Sequence, residues 1–435
     1  MNGMSRSQII CMSRSEAMSR NWNIKGLVAF ILSLCLLSGC QPSPIDPVVH
    51  LTLWHGVNPP PNRDVLQRLV DVFNQRHPEI QVESLYVGQG DQQIPKILAA
   101  VVGNVPPHLL WYAPMITGQL IELDAIQPLE DWLNASPLQD NLDPTLQEAI
   151  SWEGHTWAIP FDVNNLGIFY RPSLFKAAGI TEIPQTWDQL RQVAKRLTIP
   201  AKNQHGMLLP LGKGEWTVFT WLPFLWSGGG ELTAGSAIQL ANPGAITALQ
   251  LWQDLIADGS AVLSQPERGY ELDSFLAGKV AMQLTGAWTL GQLQQTGVDF
   301  AVMPIPTGAR RATSIGGENL FIFKTTPQAE QAARVFAEYV LSEEFQTKWA
   351  IGTGYLPVNL KARQNPAYQN FVAQQPALKV FLKQAPYGRS RPIFPNYNRL
   401  SDSLGRAIES VLLQKATPEA ALKAAQDRLE LVLGK

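Results

Sequence analysis

Hydrophobic and polar positions along this chain follow two alternating periods. "VVHLTLWHG" reads as a strand, and "IQVESLYVG" alternates apolar and polar positions like a strand with one face toward a core. Between them, "NRDVLQRLVDVFNQRHPEI" repeats Val65, Leu66, Leu69, Val70 and Phe73 at helical spacing, with Pro78 after its end. "QQIPKILAAVVGN" is again helical, and "PPHLLWY" reads as a short buried strand. Strand, helix, strand, helix, strand predicts an α/β fold: a parallel sheet with helices on both faces.

The pattern resumes at "GHTWAIPFDVNNLGIFYRPSLFKAAGI", where two apolar strands flank the polar residues Asp162, Asn164 and Asn165. Thr186 with Gln189 opens a helix by a capping box. "NPGAITALQLWQDLIADG" predicts a helix stopped by Gly259, and "DSFLAGKVAMQLTGAW" a helix turning into a strand. "DFAVMPIPTG" and "ENLFIFK" are strands, "PQAEQAARVFAEYVLSEEFQTKWAIG" one long helix closed by Gly352, and "SGGG" at 227–230 a turn. At the C-terminus Thr417 caps a helix with Pro418 in its first position.

The most continuous apolar run, Leu27–Leu37, is too short to span a bilayer, which takes about 20 residues. Arg20 and Lys25 precede it and Ser38, Gly39 and Cys40 follow, as in a secretory signal peptide. Leu37-Ser38-Gly39-Cys40 resembles a bacterial lipobox, which implies cleavage before Cys40 and lipidation of it; the plainer alternative is ordinary secretion with a leftover cysteine. Met18 is a second candidate start. Cys11, Cys35 and Cys40 all stand within this leader or at its end, so the body carries no disulfide framework, thiolate metal site or cysteine nucleophile. "QPSPIDP" after Cys40 reads as a tether.

The 435 residues exceed one compact core and predict two lobes. A formal net charge of −2 gives no basic excess for nucleic acid. The six histidines never approach metal-pair spacing, and neither a GxSxG elbow nor a phosphate-binding loop is present. Glu122 with Asp124, and Glu130 with Asp131, read as solvated surface rather than a glycosidase pair. No cofactor or metal is implied. The stronger signal is aromatic. Among 13 tryptophans, Trp54, Trp111, Trp216, Trp226 and Trp288 stand at element ends beside polar or glycine residues, where open α/β sheets bind ligands. Rings cover the apolar faces of a sugar while Asp, Asn, Glu and Arg serve its hydroxyls. Trp132, Trp157, Trp187, Trp252 and Trp349, inside helical or strand patterns, read as core.

Several motifs in order carry a resemblance: "LTLWHG" before "LVDVFNQRHPEIQVE", "VPPHLLWY", "IPFDVNNLGIFYRPSLFKAAGI" before "PQTWDQL", "FLAGKVAMQLTGAW", "MPIPTG" before "GGENLFIF", "TGYLPV", and "RPIFPNYNRLSDSL". Behind a lipobox, they resemble the extracellular solute-binding proteins (family 1) that serve ABC importers of sugars, the group with maltose-, trehalose- and glycerol-3-phosphate-binding members. The resemblance covers nearly all of residues 50–435 and implies a two-lobed type II periplasmic-binding-protein fold, with a hinge and an interlobe ligand cleft. The parts would be a signal peptide (1–39), a lipidated N-terminus and tether (40–49), lobe 1 (50–161 and 299–350) and lobe 2 (162–298 and 351–435). Crossings would fall near Phe161–Val163, Asp299–Phe300 and Gly352–Leu356.

The resemblance implies ligand contacts at Trp54 and His55, at Trp111 and Tyr112, at Asp162 and Asn164, and at Trp288, the position of a sugar-stacking tryptophan. It adds Gly317 beside Gly316, Tyr355, and either Arg389 or Arg391. The glycerol-3-phosphate branch departs at Pro114, Val163, Asn164, Gly286 and Ala287, where its small polar contacts are missing. The implied function is capture of a di- or oligosaccharide, or a glycosylated polyol, by a lipid-anchored monomer. It would deliver this solute unaltered to a permease with its ATPase, from the periplasmic side of the plasma membrane. The alternatives are a glycerol-3-phosphate or glycerophosphodiester ligand, a secreted glycosidase, and a sensory or adhesion module.

Overall fold

The computed structural model describes residues 48–433 apart from 212–213, 235–236, 266–271 and 394–395. The signal peptide, Cys40 and most of the tether lie outside the described residues.

The strands that position the site are, in chain order, β1 (Val49–His55), β2 (Ile80–Tyr86), β3 (Leu109–Tyr112), β4 (Ile159–Pro160), β5 (Asn164–Tyr170), β6 (His205–Leu209), β7 (Ala261–Leu263), β8 (Val280–Gly286), β9 (Ala301–Met303), β10 (Thr313–Gly316), β11 (Asn319–Ile322) and β12 (Gly388–Arg389). They form two sheets. The first has the order β2-β1-β3-β11-β4. The second runs β7-β6-β8-β5-β10-β12, with β9 also on β5. In the first sheet β1, β2 and β3 are parallel, as the alternation predicts, but β11 joins β3 antiparallel, with Asn319 opposite Tyr112 and Ile322 opposite Leu109. The second sheet is mixed as well: β5 runs antiparallel to β8, β9 and β10. A strand that returns across the molecule enters from the far side, so its direction is reversed.

The helices follow their capping chemistry. α1 (Pro60–Arg76) buries Val65, Leu66, Leu69, Val70 and Phe73, the stripe visible in the sequence. The helix Trp187–Leu197 has the Thr186–Gln189 capping box, and Pro243–Ala257 starts at an Asn242 cap and stops before Gly259, whose φ is +67°. α2 (Glu215–Ser227) is apolar all round and almost wholly buried.

The single long helix expected at the "PQAEQ" segment is two helices, α3 (Pro327–Leu341) and α4 (Glu343–Thr353). Ser342 separates them: its ψ of 153° leaves the helical region, and its hydroxyl accepts the Phe345 N–H at 3.1 Å. The stop is Gly354 at φ +86°, not Gly352, which lies within α4 against Val65.

Three segments pass between the sheets and bond to one another. Phe161 and Asp162 donate their N–H groups to the Glu318 carbonyl (2.9 and 3.3 Å), and Val163 and Leu356 exchange N–H···O bonds of 3.3 and 2.8 Å. The middle passage is at Gly317–Glu318 and not at Asp299–Phe300, because Ala301–Met303 and Ile315–Gly316 are still paired with β5. Gly317 takes φ +125°, and a Cβ there would sit 2.3 Å from the Asp162 carbonyl oxygen, so only glycine fits without strain.

Candidate functional site

The loops that leave β1, β2 and β3 all emerge at the C-terminal ends of parallel strands, where α/β sheets bind ligands. They form one wall of a cleft of about 190 Å³ with Gly56, Asn58, Gln89, Gln92, Gln93, Trp111 and Tyr112. The opposite wall comes from the second sheet and its surroundings: Asn164 at the start of β5, Glu215, Trp216 and Phe219 on the first turns of α2, Trp288 just after β8, and Arg391. Gly316, Gly317 and Glu318 of the middle crossing and Tyr355 of the last one close the floor.

Rings dominate this cleft. Trp288 meets Trp216 edge-on at 6.1 Å between centroids and lies 6.3 Å from Tyr355, which stacks on Trp349 at 5.6 Å. Gly286 makes the Trp288 position possible: a Cβ there would fall 1.9 Å from the indole. Arg391, a cation of the cleft, has a side chain 9% exposed and donates to Glu215 Oε1 at 2.8 Å, its guanidinium 4.6 Å from the Phe219 ring centre. Glu215 also accepts from the Tyr397 and Ser401 hydroxyls, so this ion pair is tied into the core.

Three acceptors on cleft residues are buried and find no hydrogen-bond partner among the described residues: Gln93 Oε1, Asn164 Oδ1 and Glu318 Oε2. A buried polar atom without a partner costs on the order of 1–3 kcal/mol, so three in one cleft call for donors on a ligand.

Of the residues expected at the site, Trp111, Tyr112, Asn164, Trp216, Trp288, Gly317, Tyr355 and Arg391 line this cleft. Five do not. Trp54 packs against the apolar cluster containing Ile97 and Leu110, because strand alternation turns it away from the loop. His55 is 3% exposed; its Nδ1 accepts the Val57 N–H, and burial pushes its pKa down to about 4. Asp162 is turned inward, where Oδ1 accepts the Glu318 N–H (3.1 Å) and Oδ2 the indole N–H groups of Trp349 (3.1 Å) and Trp111 (3.4 Å). Extended backbone placed it on the same side as Asn164 in the sequence, but three donors hold it behind the wall. Trp226 and Arg389 line a second cavity with Trp152 and Glu231, in which Arg389 pairs with Glu231 at 2.6 Å and covers the Trp226 ring. Arg391 borders both cavities. Trp252 and Trp349 are fully buried, and Trp132, Trp157 and Trp187 pack on the cores, as their periodic contexts predict.

The sequence reading missed Asn58, Gln89, Gln92, Gln93, Glu215 and Glu318. A signal was present for most: "GQGDQQ" is a glutamine-rich loop directly after a strand, and Glu215 and Glu318 are lone acids beside glycine at the start of apolar elements.

A maltotriose-binding protein of Pyrococcus abyssi is 22% identical over 87% of this chain and 81% of its own. An sn-glycerol-3-phosphate-binding periplasmic protein of Pectobacterium atrosepticum is 21% identical over 91% of this chain and 93% of its own. The solved ABC transporter solute-binding protein of Thermotoga lettingae with bound alpha-D-tagatose superposes with a TM-score of 0.80 at 23% identity, covering 88% of this chain and 100% of that one, and so shares the two-lobed fold. Residues 68–379 match the family described as bacterial extracellular solute-binding proteins, and the chain belongs to that family.

Proposed function

We propose that the protein captures a neutral di- or oligosaccharide, or a glycosylated polyol, and hands it unaltered to an ABC importer. The observation that carries this is the set of orphan acceptors, Gln93 Oε1, Asn164 Oδ1 and Glu318 Oε2, on residues that line one cleft with Trp111, Trp216 and Trp288. Hydroxyl groups supply the donors these atoms lack, and the C–H faces of a pyranose match the rings. A phosphate dianion brings acceptors only. The arginine it would need is already neutralised by Glu215, so the glycerol-phosphate reading is disfavoured although a relative carries that name.

A glycosidase would hold two carboxyls about 5–10 Å apart with the substrate between them. Here Asp162 and Glu318 hydrogen-bond to each other, and Glu215 is tied to Arg391, which supports binding without reaction. Lobe 1 then comprises 50–161 and the chain from about 318 to 350, lobe 2 the remainder, and the bonded crossings form the hinge. Lipidation at Cys40 would hold a monomer at the membrane surface beside its permease and ATPase.

A thermal-shift screen tests this reading: glucose, maltose, maltotriose, trehalose, sucrose, a glycosylglycerol and sn-glycerol 3-phosphate are each titrated. At least one neutral saccharide should raise the melting temperature progressively with concentration. Stabilisation by the phosphate alone overturns the reading.

A further inference from the structure

Glu318 occupies an unusual place for an acid. Its backbone belongs to the middle crossing, its side chain borders the cleft, and its carboxyl hydrogen-bonds Asp162, another acid. The remaining partners of Asp162 are all donors: the Glu318 N–H and the Trp111 and Trp349 indoles. Asp162 is therefore the member built to hold the negative charge. Two carboxylates in contact cannot both stay ionised in a buried site, so Glu318 takes the proton. Other charged or titratable groups face the pair from the neighbouring elements. Arg391 is bound by Glu215, and Tyr355 is a phenol raised well above its usual range by burial and by the two acids. Burial and the Asp162 charge likewise hold the Glu318 carboxyl well above the ordinary carboxylate range. The proton lies toward Asp162, and Oε2 of this cleft-lining side chain is buried without a partner among the described residues.

We propose that Glu318 is a specificity-determining residue that meets the solute as a neutral carboxylic acid, donating to Asp162 and accepting a solute hydroxyl through Oε2. This rests on the saccharide reading above and deepens it. A neutral acceptor at the floor of the cleft selects hydroxyl donors, whereas an anionic substituent brings it none. The requirement is for the shape and hydrogen-bonding pattern of an uncharged group. A primary amide has the same pattern, with the NH2 toward Asp162 and the carbonyl toward the solute.

The test uses the full-length protein, Glu318→Gln and Glu318→Ala, and whichever neutral saccharide of the panel above binds the wild type. Calorimetry should find Glu318→Gln within about threefold of wild type and Glu318→Ala weaker by about tenfold or more. A large loss in the glutamine variant means the acid acts as a charged carboxylate, and an unaltered alanine variant means it makes no contact; either overturns the proposal. Infrared difference spectra of wild type against Glu318→Gln at neutral pH give a second arm that needs no ligand. A protonated-carboxyl C=O stretch should be present in the wild type and lost in the variant, and its absence overturns the proposal on its own. If no saccharide binds while that band is present, the saccharide reading has failed and the protonation assignment has not.

Discussion

At the scale of single residues, the cleft divides into surfaces and anchors. Trp288 offers area: it is partly exposed, set between Trp216 and Tyr355, and held in place by the absence of a side chain at Gly286. Trp288→Ala should weaken saccharide binding by about 1–3 kcal/mol, read by calorimetry, with little change in melting temperature of the free protein. An unchanged affinity would place the sugar elsewhere. The two arginines in "GRSRP" show what sequence could and could not resolve. Both are basic, two positions apart, and equally matched to the resemblance, yet one faces Glu215 in the cleft and the other Glu231 in a neighbouring cavity. That difference depends on acids far away in the chain, at 215 and 231, which no local pattern announces. The same holds for Asp162, whose fate was decided by indoles at 111 and 349.

At the scale of elements, local rules carried further. Trp288, Tyr112 and Trp111 were legible because strands end where polarity changes, and the Thr186 capping box and the α1 stripe were legible because their partners lie within a turn. The junction at Ser342 was not, since a serine inside a helical pattern only breaks it when the following turn recruits its hydroxyl. His55 provides a pH-dependent consequence of strand burial. Its folded-state pKa of about 4 lies below the usual 6.5, so the unfolded chain binds the proton first. The stability it contributes is complete above about pH 6.5 and is lost progressively as pH falls toward 4, by up to roughly 3 kcal/mol. The Asp162–Glu318 pair acts in the opposite direction, since acids with raised pKa values are relieved by acidification. Comparing wild type with His55→Asn, whose amide oxygen can still accept the Val57 N–H, isolates the histidine. Urea unfolding at pH 7.5 and 5 should show the loss on acidification to be smaller in the variant. Equal losses would mean that His55 is not held neutral.

At the scale of the whole molecule, the α/β class and the order of its motifs were readable because periodicity and turn chemistry are local. The mixed direction of the sheets was not, because it arises from the chain crossing between them. The second crossing was misplaced for the same reason: Ala301–Met303 is a strand in either sheet as far as its sequence goes, and only its pairing with β5 assigns it. Cys40→Ser should move the protein from the membrane to the soluble fraction, as read by fractionation and immunoblotting, because a diacylated terminus holds where a bare one does not. Retention at the membrane would contradict lipidation.

A neutral, hydroxyl-bearing solute is expected to fill the cleft between the two sheets. A crystal structure with the saccharide that stabilises the protein most tests it most directly. It should show an intact sugar with one ring face on Trp288, hydroxyls donating to Asn164 Oδ1 and Glu318 Oε2, and the Arg391–Glu215 pair still closed. A saccharide bound outside this cleft, or an anion that has displaced Glu215 from Arg391, would contradict it.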